Sequence, residues 1–254
     1  GFLVRAHQHV MAATDDLFEL SADESAFQIQ RATWGVELVP DTQRLGLMNL
    51  MLHGIEGTLY EGDALGDAGE RLPAADVILT NPPFGTKKGG GRVSRTFTHA
   101  TSNKQLNFLQ HITNNLKPGG RAAVVLPDNV LFEAGVGLEV RRDLMDKCRL
   151  HTVLRLPTGI FYAQGVKTNV LFFTRAETDH DATDEVWVYD MRMNAPSFGK
   201  RTPLTRGHFA DFEAAYGDDP HGLAERIDGG EEGRFRCFTR EQIAKRDDNL
   251  DISW

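Results

Sequence analysis

Cysteine is scarce in this sequence: Cys148 and Cys237 are the only two among 254 residues, far apart and with no CxxC spacing. That scarcity excludes a disulfide framework, offers no cysteine-based zinc site and fits a reducing cytoplasm. Apolar runs of membrane-spanning length are missing as well, so no transmembrane helix is expected. Residues 1–9 contain a histidine pair but neither the basic start nor the cleavage pattern of a signal peptide, so export is not expected. Positive charge is also in deficit, with 28 Lys and Arg against 36 Asp and Glu and a net charge of −8. A chain with that balance does not coat nucleic acid by itself, because non-specific affinity for a polyanion comes from clustered cations. Any contact with DNA has to be local or shared with a partner.

What is present is enough apolar material, 41% of residues, for one large α/β domain or a domain with a small appendage. Helical patterns are read over residues 3–20, 41–53, 103–116 and 138–147, with a polar stretch at 21–25. Strands are read at 33–38, 59–61, 76–80, 121–126, 151–156, 169–174 and 185–190. The run at 121–126 is continuous and β-rich, as a strand buried on both faces should be. Alternation of strands and helices implies a Rossmann-like, mostly parallel sheet with helices on both faces. The last two strands, joined by the acidic loop 177–184, imply an antiparallel edge. From residue 194 onward the pattern weakens, and 194–254 is expected to be a tail packed on the main domain, 1–193, or on a partner. One local basic cluster stands out, Lys87, Lys88, Arg92 and Arg95 around three glycines. It reads either as a phosphate contact or as a solvated loop.

The most informative segment is the apolar run Asp76-Val77-Ile78-Leu79-Thr80 leading into Asn81-Pro82-Pro83-Phe84. Open α/β sheets bind ligands beyond the carboxyl ends of their strands, and two prolines make a rigid turn there. Such a turn presents the Asn81 side-chain oxygen and the Pro82 carbonyl, two acceptors that match the two N–H bonds of an exocyclic nucleobase amine. Drawing both hydrogens aside frees the nitrogen lone pair to attack an electrophile without a strong general base. Phe84 would stack on the base, offsetting part of the cost of flipping it from a duplex. The plain alternative is a strand-ending turn with Phe84 in the core. His53, on a helix with no other metal-ligand residues beside it, reads as a packed or capping side chain, and no metal site is expected.

Asn81-Pro82-Pro83-Phe84 resembles the signature of amino-methyltransferases, and with Phe last it is similar to the adenine-N6 DNA branch. Further segments resemble the modification subunit of type I restriction-modification systems, in order along the chain. They are Gly35-Val36-Glu37-Leu38, Leu116-Lys117-Pro118-Gly119-Gly120, Leu126-Pro127-Asp128-Asn129, Leu156-Pro157-Thr158-Gly159-Ile160-Phe161 and Gly165-Val166-Lys167-Thr168-Asn169. The resemblance implies S-adenosylmethionine as methyl donor and DNA as substrate. It assigns the catalytic turn to Asn81, Pro82, Pro83 and Phe84. It places Glu37, with Leu38, at the cofactor ribose, and Asp63, with Ala64, at the cofactor adenine. Phe161 and Tyr162 fall near the target base, and Lys87, Lys88 and Lys167 near DNA phosphates. Expected partners are a separate DNA-specificity subunit and a second modification subunit, with a restriction subunit left open.

In that family a strand and a glycine-rich loop precede the first helix, and Gly1-Phe2-Leu3 reads as the end of that loop, which puts Phe2 beside the cofactor. The missing strand is central in the family's sheet, so a groove is expected between the strands ending near Leu38 and Thr80. These 254 residues alone are expected neither to bind S-adenosylmethionine tightly nor to methylate DNA. Two other readings stay open: methylation of RNA or of a protein glutamine by the same turn, and a non-catalytic module that binds a DNA-specificity subunit.

Overall fold

Capping and breaking signals set the first elements of the chain, seen in a computed structural model that describes residues 1–84, 97–161 and 165–251. Helix α1 (Phe2–Ala13) stops seven residues short of the pattern read from sequence. Asp15, Asp16 and Leu17 take left-handed backbone angles there, which a helix cannot continue through. The polar stretch that follows is the start of a helix, α2 (Ala22–Gln30). Ser21 Oγ accepts from the Glu24 N–H while the Glu24 carboxylate accepts from the Ser21 N–H, a reciprocal cap. No residue of α2 is fully buried, so it carries little apolar periodicity to read. Strand β1 (Trp34–Glu37), α3 (Pro40–Leu52), β2 (Thr58–Glu61) and the short α4 (Asp67–Glu70) complete the first of two compact units, Gly1–Ala74. In it β1 and β2 pair in parallel, Trp34 with Thr58 through Glu37 with Glu61. Val4, Leu50 and Ile55 are buried, with Leu3 and Leu59 packed against them.

The second unit begins at Ala75. Its strands are β3 (Ala75–Thr80), β4 (Leu116–Pro127), β5 (Cys148–Leu156), β6 (Thr168–Arg175), β7 (Glu185–Asp190) and β8 (Phe235–Thr239). Its helices are α5 (Lys104–Asn115), α6 (Asn129–Phe132), α7 (Val136–Lys147), α8 (Ala210–Tyr216) and α9 (Arg240–Ala244). The strands form one open sheet in the order β3-β4-β6-β5-β7-β8. Strands β3, β4, β5 and β7 share one direction, while β6 and β8 run against them. Helices cover both faces. Leu106, Leu109 and Ile112 of α5, Val130 and Leu131 of α6, Val140 and Leu144 of α7 and Ile243 of α9 pack with Val124, Leu126, Leu171 and Phe173 on one. Phe212 and Tyr216 of α8 pack with Leu154, Phe172, Tyr189 and Phe235 on the other.

Two sequence expectations change. The strand at 121–126 is not buried on both faces: Ala122, Val124 and Leu126 are, whereas Arg121, Ala123 and Val125 are only half-buried. The face they point to is roofed by α8 over part of its width, leaving a cavity of about 230 Å³ bordered by Leu79, Ala123, Phe172 and Tyr216. Nor do the strands read at 169–174 and 185–190 pair with each other. The first, β6, is interior, between β4 and β5, and the second, β7, lies parallel to β5. The antiparallel edge is β8, which the sequence pattern left unread. Beyond it, Asp248 is fully buried between Arg142 and Arg240, and the Leu250 N–H donates to the Leu131 carbonyl at 2.9 Å. No helix among the described residues is long and apolar enough to cross a membrane.

Candidate active site

The turn that ends β3 stands at the carboxyl edge of the parallel strands. Thr80 is the last paired residue, opposite Val124, and the chain then enters Asn81-Pro82-Pro83-Phe84. Proline has no N–H to continue a ladder and a nearly fixed φ, so pairing ends there and the turn is stiff. Pro82 is buried while Asn81 and Pro83 are exposed, which anchors the turn by one ring and leaves the Asn81 side chain at the surface of this unit. From below, Gln105 of α5 donates its Nε2 to the Pro83 carbonyl at 3.1 Å. Gln105 is itself only 3% exposed. Its backbone N–H and that of Leu106 donate to Asn103 Oδ1, which caps α5. The Asn103 Nδ2 in turn donates to Glu133 at 2.7 Å. The turn is therefore tied to the start of a packed helix.

Phe84 is half-buried and meets Phe161 edge to face, with ring centroids 5.6 Å apart and planes at 79°. The pair makes a corner of two aromatic walls, an arrangement of the favourable T-shaped kind. Phe161 stands on the connection between β5 and β6. Gly159, two residues earlier, has φ +83°, and a Cβ there would lie 2.4 Å from the Phe198 carbonyl oxygen. Only glycine serves at that point.

The two ends of that connection are held by charge. Arg192, just after β7, donates Nε to the Leu156 carbonyl at 3.0 Å and Nη2 to the Thr168 carbonyl at 2.9 Å. The same guanidinium grips Asp128 with Nη1 to Oδ2 at 3.0 Å and Nη2 to Oδ1 at 2.6 Å. Asn169 donates Nδ2 to Asp128 at 2.8 Å, and the Asp128 N–H donates to the Lys167 carbonyl at 3.0 Å. Burial pushes the Asp128 carboxyl up, but hydrogen bonds from Arg192 and Asn169 and the charges of Arg192 and Arg155 outweigh it and hold the group below the usual carboxylate range.

The first unit holds the acids assigned to the cofactor. Glu37 and Asp63 stand at the carboxyl ends of β1 and β2, brought together because the Gly62 N–H donates to the Glu37 carbonyl at 3.0 Å. Glu37 is half-buried and accepts from the Val39 N–H at 2.9 Å; Asp63 is exposed and accepts from the Leu65 N–H at 2.9 Å. Each carboxylate has further lone pairs to offer. Gly62, at φ +144°, lets the chain pass Ala68 at a distance that a Cβ would close to 2.6 Å. Acceptors at the ends of two parallel strands fit the hydroxyls of a ribose and the amine of an adenine. Leu38 is 64% exposed, Ala64 is half-buried and Phe2 is 49% exposed at the start of α1.

Of the other residues singled out from sequence, Lys167 is exposed immediately before β6. Tyr162, Lys87, Lys88, Arg92 and Arg95 lie outside the described residues. The His53 Nδ1 bonds the Asn49 carbonyl one helical turn back, at 2.7 Å. Sequence reasoning missed Gln105 and Arg192, and it quoted Asp128 only within a family-like segment, with no role of its own. The signal available for Gln105 was the amide-rich helix start, where Gln105, Asn107 and Gln110 sit on a buried face that apolar periodicity alone would fill with aliphatics.

The N-6 DNA methylase family matches residues 1–254, the whole chain. The methylase subunits of the type I restriction enzymes StySPI of Salmonella potsdam and EcoKI of Escherichia coli K12 are each 54% identical over 289 aligned residues, covering 100% of this chain and 54% of the relative. The chain thus spans about half the length of the curated relatives it matches. The crystal structure of the EcoKI M protein superposes with a TM-score of 0.95 at 53% identity, over 100% of this chain and 59% of that one. A Listeria monocytogenes protein described as a class I S-adenosylmethionine-dependent methyltransferase shares the fold, with a TM-score of 0.50 at 20% identity over 63% of this chain.

Proposed function

The chain belongs to the N-6 DNA methylase family, and from that premise we propose that its full-length protein methylates the N6 amine of an adenine flipped out of DNA, as the modification subunit of a type I restriction-modification system. The observation that carries the reading is the braced turn: Asn81 exposed, Pro82 buried, the Pro83 carbonyl held by Gln105, and Phe84 set against Phe161. The Asn81 side-chain oxygen and the Pro82 carbonyl accept the two N–H bonds of the adenine amine. The lone pair is thereby turned out of the ring plane and toward the donor. Phe84 takes the face of the flipped base, and Phe161 walls one side of it.

S-adenosylmethionine, when bound, supplies an electrophilic methyl group on a positively charged sulfur. Glu37 and Asp63 fit its ribose hydroxyls and adenine amine by their acceptor chemistry. As a new N–C bond formed and the methyl–sulfur bond broke, leaving the sulfur as a neutral thioether, the amine nitrogen would become positive, and the two oxygens already on its hydrogens would stabilise that charge before the proton left to water. Positioning does most of the rest. With a net charge of −8 the chain does not supply the main attraction for DNA, so a separate DNA-specificity subunit supplies recognition and much of the phosphate contact. A second copy of the modification subunit completes the assembly.

Transfer of radiolabelled methyl groups by the full-length protein in its native assembly tests this. Label is expected on DNA adenine. Asn81→Ala is expected to lower the turnover number by about 100-fold to 1,000-fold with the assembly and cofactor affinity intact. Label on RNA or on protein glutamine in place of DNA, or full methylation by the variant, would overturn the proposal.

A further inference from the structure

We infer that Arg192 and Asp128 form a clasp that joins the end of β5 to the start of β6 and so positions Phe161 against Phe84. The inference rests on the reading of that aromatic corner as the place where the flipped base is held. Its own ground is the geometry at the two ends of the 157–167 connection. One guanidinium reaches the carbonyl of the last residue of β5, Leu156, and the carbonyl of the first residue of β6, Thr168. It also carries two bonds to Asp128, the residue that follows β4. Asp128 returns the grip through its backbone, donating to the Lys167 carbonyl. Both side chains are shielded, Arg192 at 14% and Asp128 at 17% exposure. Three strand ends are thus bound at one point.

The strands themselves do not need this clasp to pair. Leu156 already faces Thr168 in the ladder, and Thr168 faces Pro127 across the other side. What the clasp fixes is the direction in which the chain leaves and re-enters the sheet, at positions where the ladder gives out. Phe161 stands five residues past Leu156, and Gly159 between them is wedged against the Phe198 carbonyl. Exit direction and wedge together set where the Phe161 ring stands. Arginine suits the task because its planar fork addresses several acceptors at once, whereas an ammonium is a single point of charge. Arg192 is on this reading a positioning residue: it touches neither base nor methyl donor.

The test uses the full-length protein in its native assembly, with its target site first located in modified DNA and 2-aminopurine placed at the adenine that is methylated. Arg192→Met is expected to lower kcat by about 100-fold, the effect of a displacement of order one ångström at a reacting centre. KM for S-adenosylmethionine should stay within about twofold, because Arg192 spends its bonds on Leu156, Thr168 and Asp128 and none on Glu37 or Asp63. The 2-aminopurine emission of the flipped base should rise, reporting poorer stacking. Phe161→Ala should reproduce this pattern, and the double variant should show little further loss, since two residues acting through one contact are not additive. Where Arg192→Met proves too unstable to assay, Arg192→Lys and Asp128→Asn, run with the same double-variant comparison, give the same direction with smaller losses. Unchanged kcat in a folded Arg192→Met or in Arg192→Lys, or fully additive losses with Phe161→Ala, would overturn the clasp while leaving the turn chemistry intact. Wild-type kcat and emission in Phe84→Ala and Phe161→Ala would instead sink the aromatic corner, and the clasp's purpose with it.

Discussion

His151 offers a test of the interior of the sheet, made by acidification. Its imidazole is 1% exposed, lies against the Phe172 and Tyr216 rings and is so close to Gly222 that a Cβ there would come within 2.4 Å of Nδ1. Burial, with the positive charges of Arg149, Arg226 and His221, pushes its pKa down to about 3 from an ordinary 6.5. Between those two values the unfolded chain binds a proton that the folded chain does not. Stability therefore falls as pH drops through about 6.5 and levels off only below the folded value. For those two pKa values the loss attributable to this one group is about 0.2 kcal/mol at pH 7 and about 2 kcal/mol at pH 5. Urea unfolding of the wild type and of His151→Leu at both pH values measures it. The leucine keeps the volume, and Thr152 keeps a partner because Arg226 also donates to its hydroxyl at 3.1 Å. His7, whose pKa is also lowered by burial and by His53, titrates equally in both proteins and cancels in the difference. The wild type is expected to lose about 2 kcal/mol more than the variant between pH 7 and pH 5. Equal losses would show that His151 is hydrated or protonated in the folded state, and the account of the interior would be wrong.

Other predictions concern the site. Gln105→Ala removes the tether on the Pro83 carbonyl, with an expected cost of about 1 kcal/mol in a denaturant melt and a fall in kcat at unchanged KM for the donor. Equal kcat would mean that the prolines alone hold the turn. Glu37→Ala should weaken S-adenosylmethionine binding to the full-length protein about tenfold by calorimetry, with DNA affinity by filter binding unaffected. Gly159→Ala forces a Cβ into the Phe198 carbonyl at a positive φ and is expected to destabilise by about 1–3 kcal/mol in thermal melts. A neutral result would show that the chain around Gly159 relaxes freely.

How much of this could be read in advance depended on whether the determinant was local. The turn at Asn81 announced itself because it is one contiguous segment: an apolar strand, two prolines and an aromatic. The parallel sheet followed from alternating strand and helix patterns of ordinary length. Helix α2 escaped because its stabilising feature is the reciprocal Ser21 and Glu24 cap rather than an apolar stripe. Strand β8 escaped because it lies among weakly patterned residues and gains its place by pairing with β7, some fifty positions earlier. The same reason hid the bracing of the site. Gln105 lies 22 residues from the carbonyl it holds, and Arg192 lies 64 residues from Asp128. Neither distance leaves a mark on local composition. Strand β6 was recognised as a strand but misplaced, since nothing in its own residues says that it runs between two strands of opposite direction.

The reversal of β6 decides which chain ends meet at one edge of the sheet. In a sheet whose neighbours all point one way, the chain must cross over before it can return to the functional edge. Because β6 points the other way, the backbone leaves β5 and enters β6 at the same edge, with Leu156 and Thr168 side by side. The two ends of the connection are therefore neighbours rather than a strand's length apart. A single side chain can then govern both ends at once, as Arg192 does through the Leu156 and Thr168 carbonyls, which no one residue could do across the crossover that parallel neighbours require.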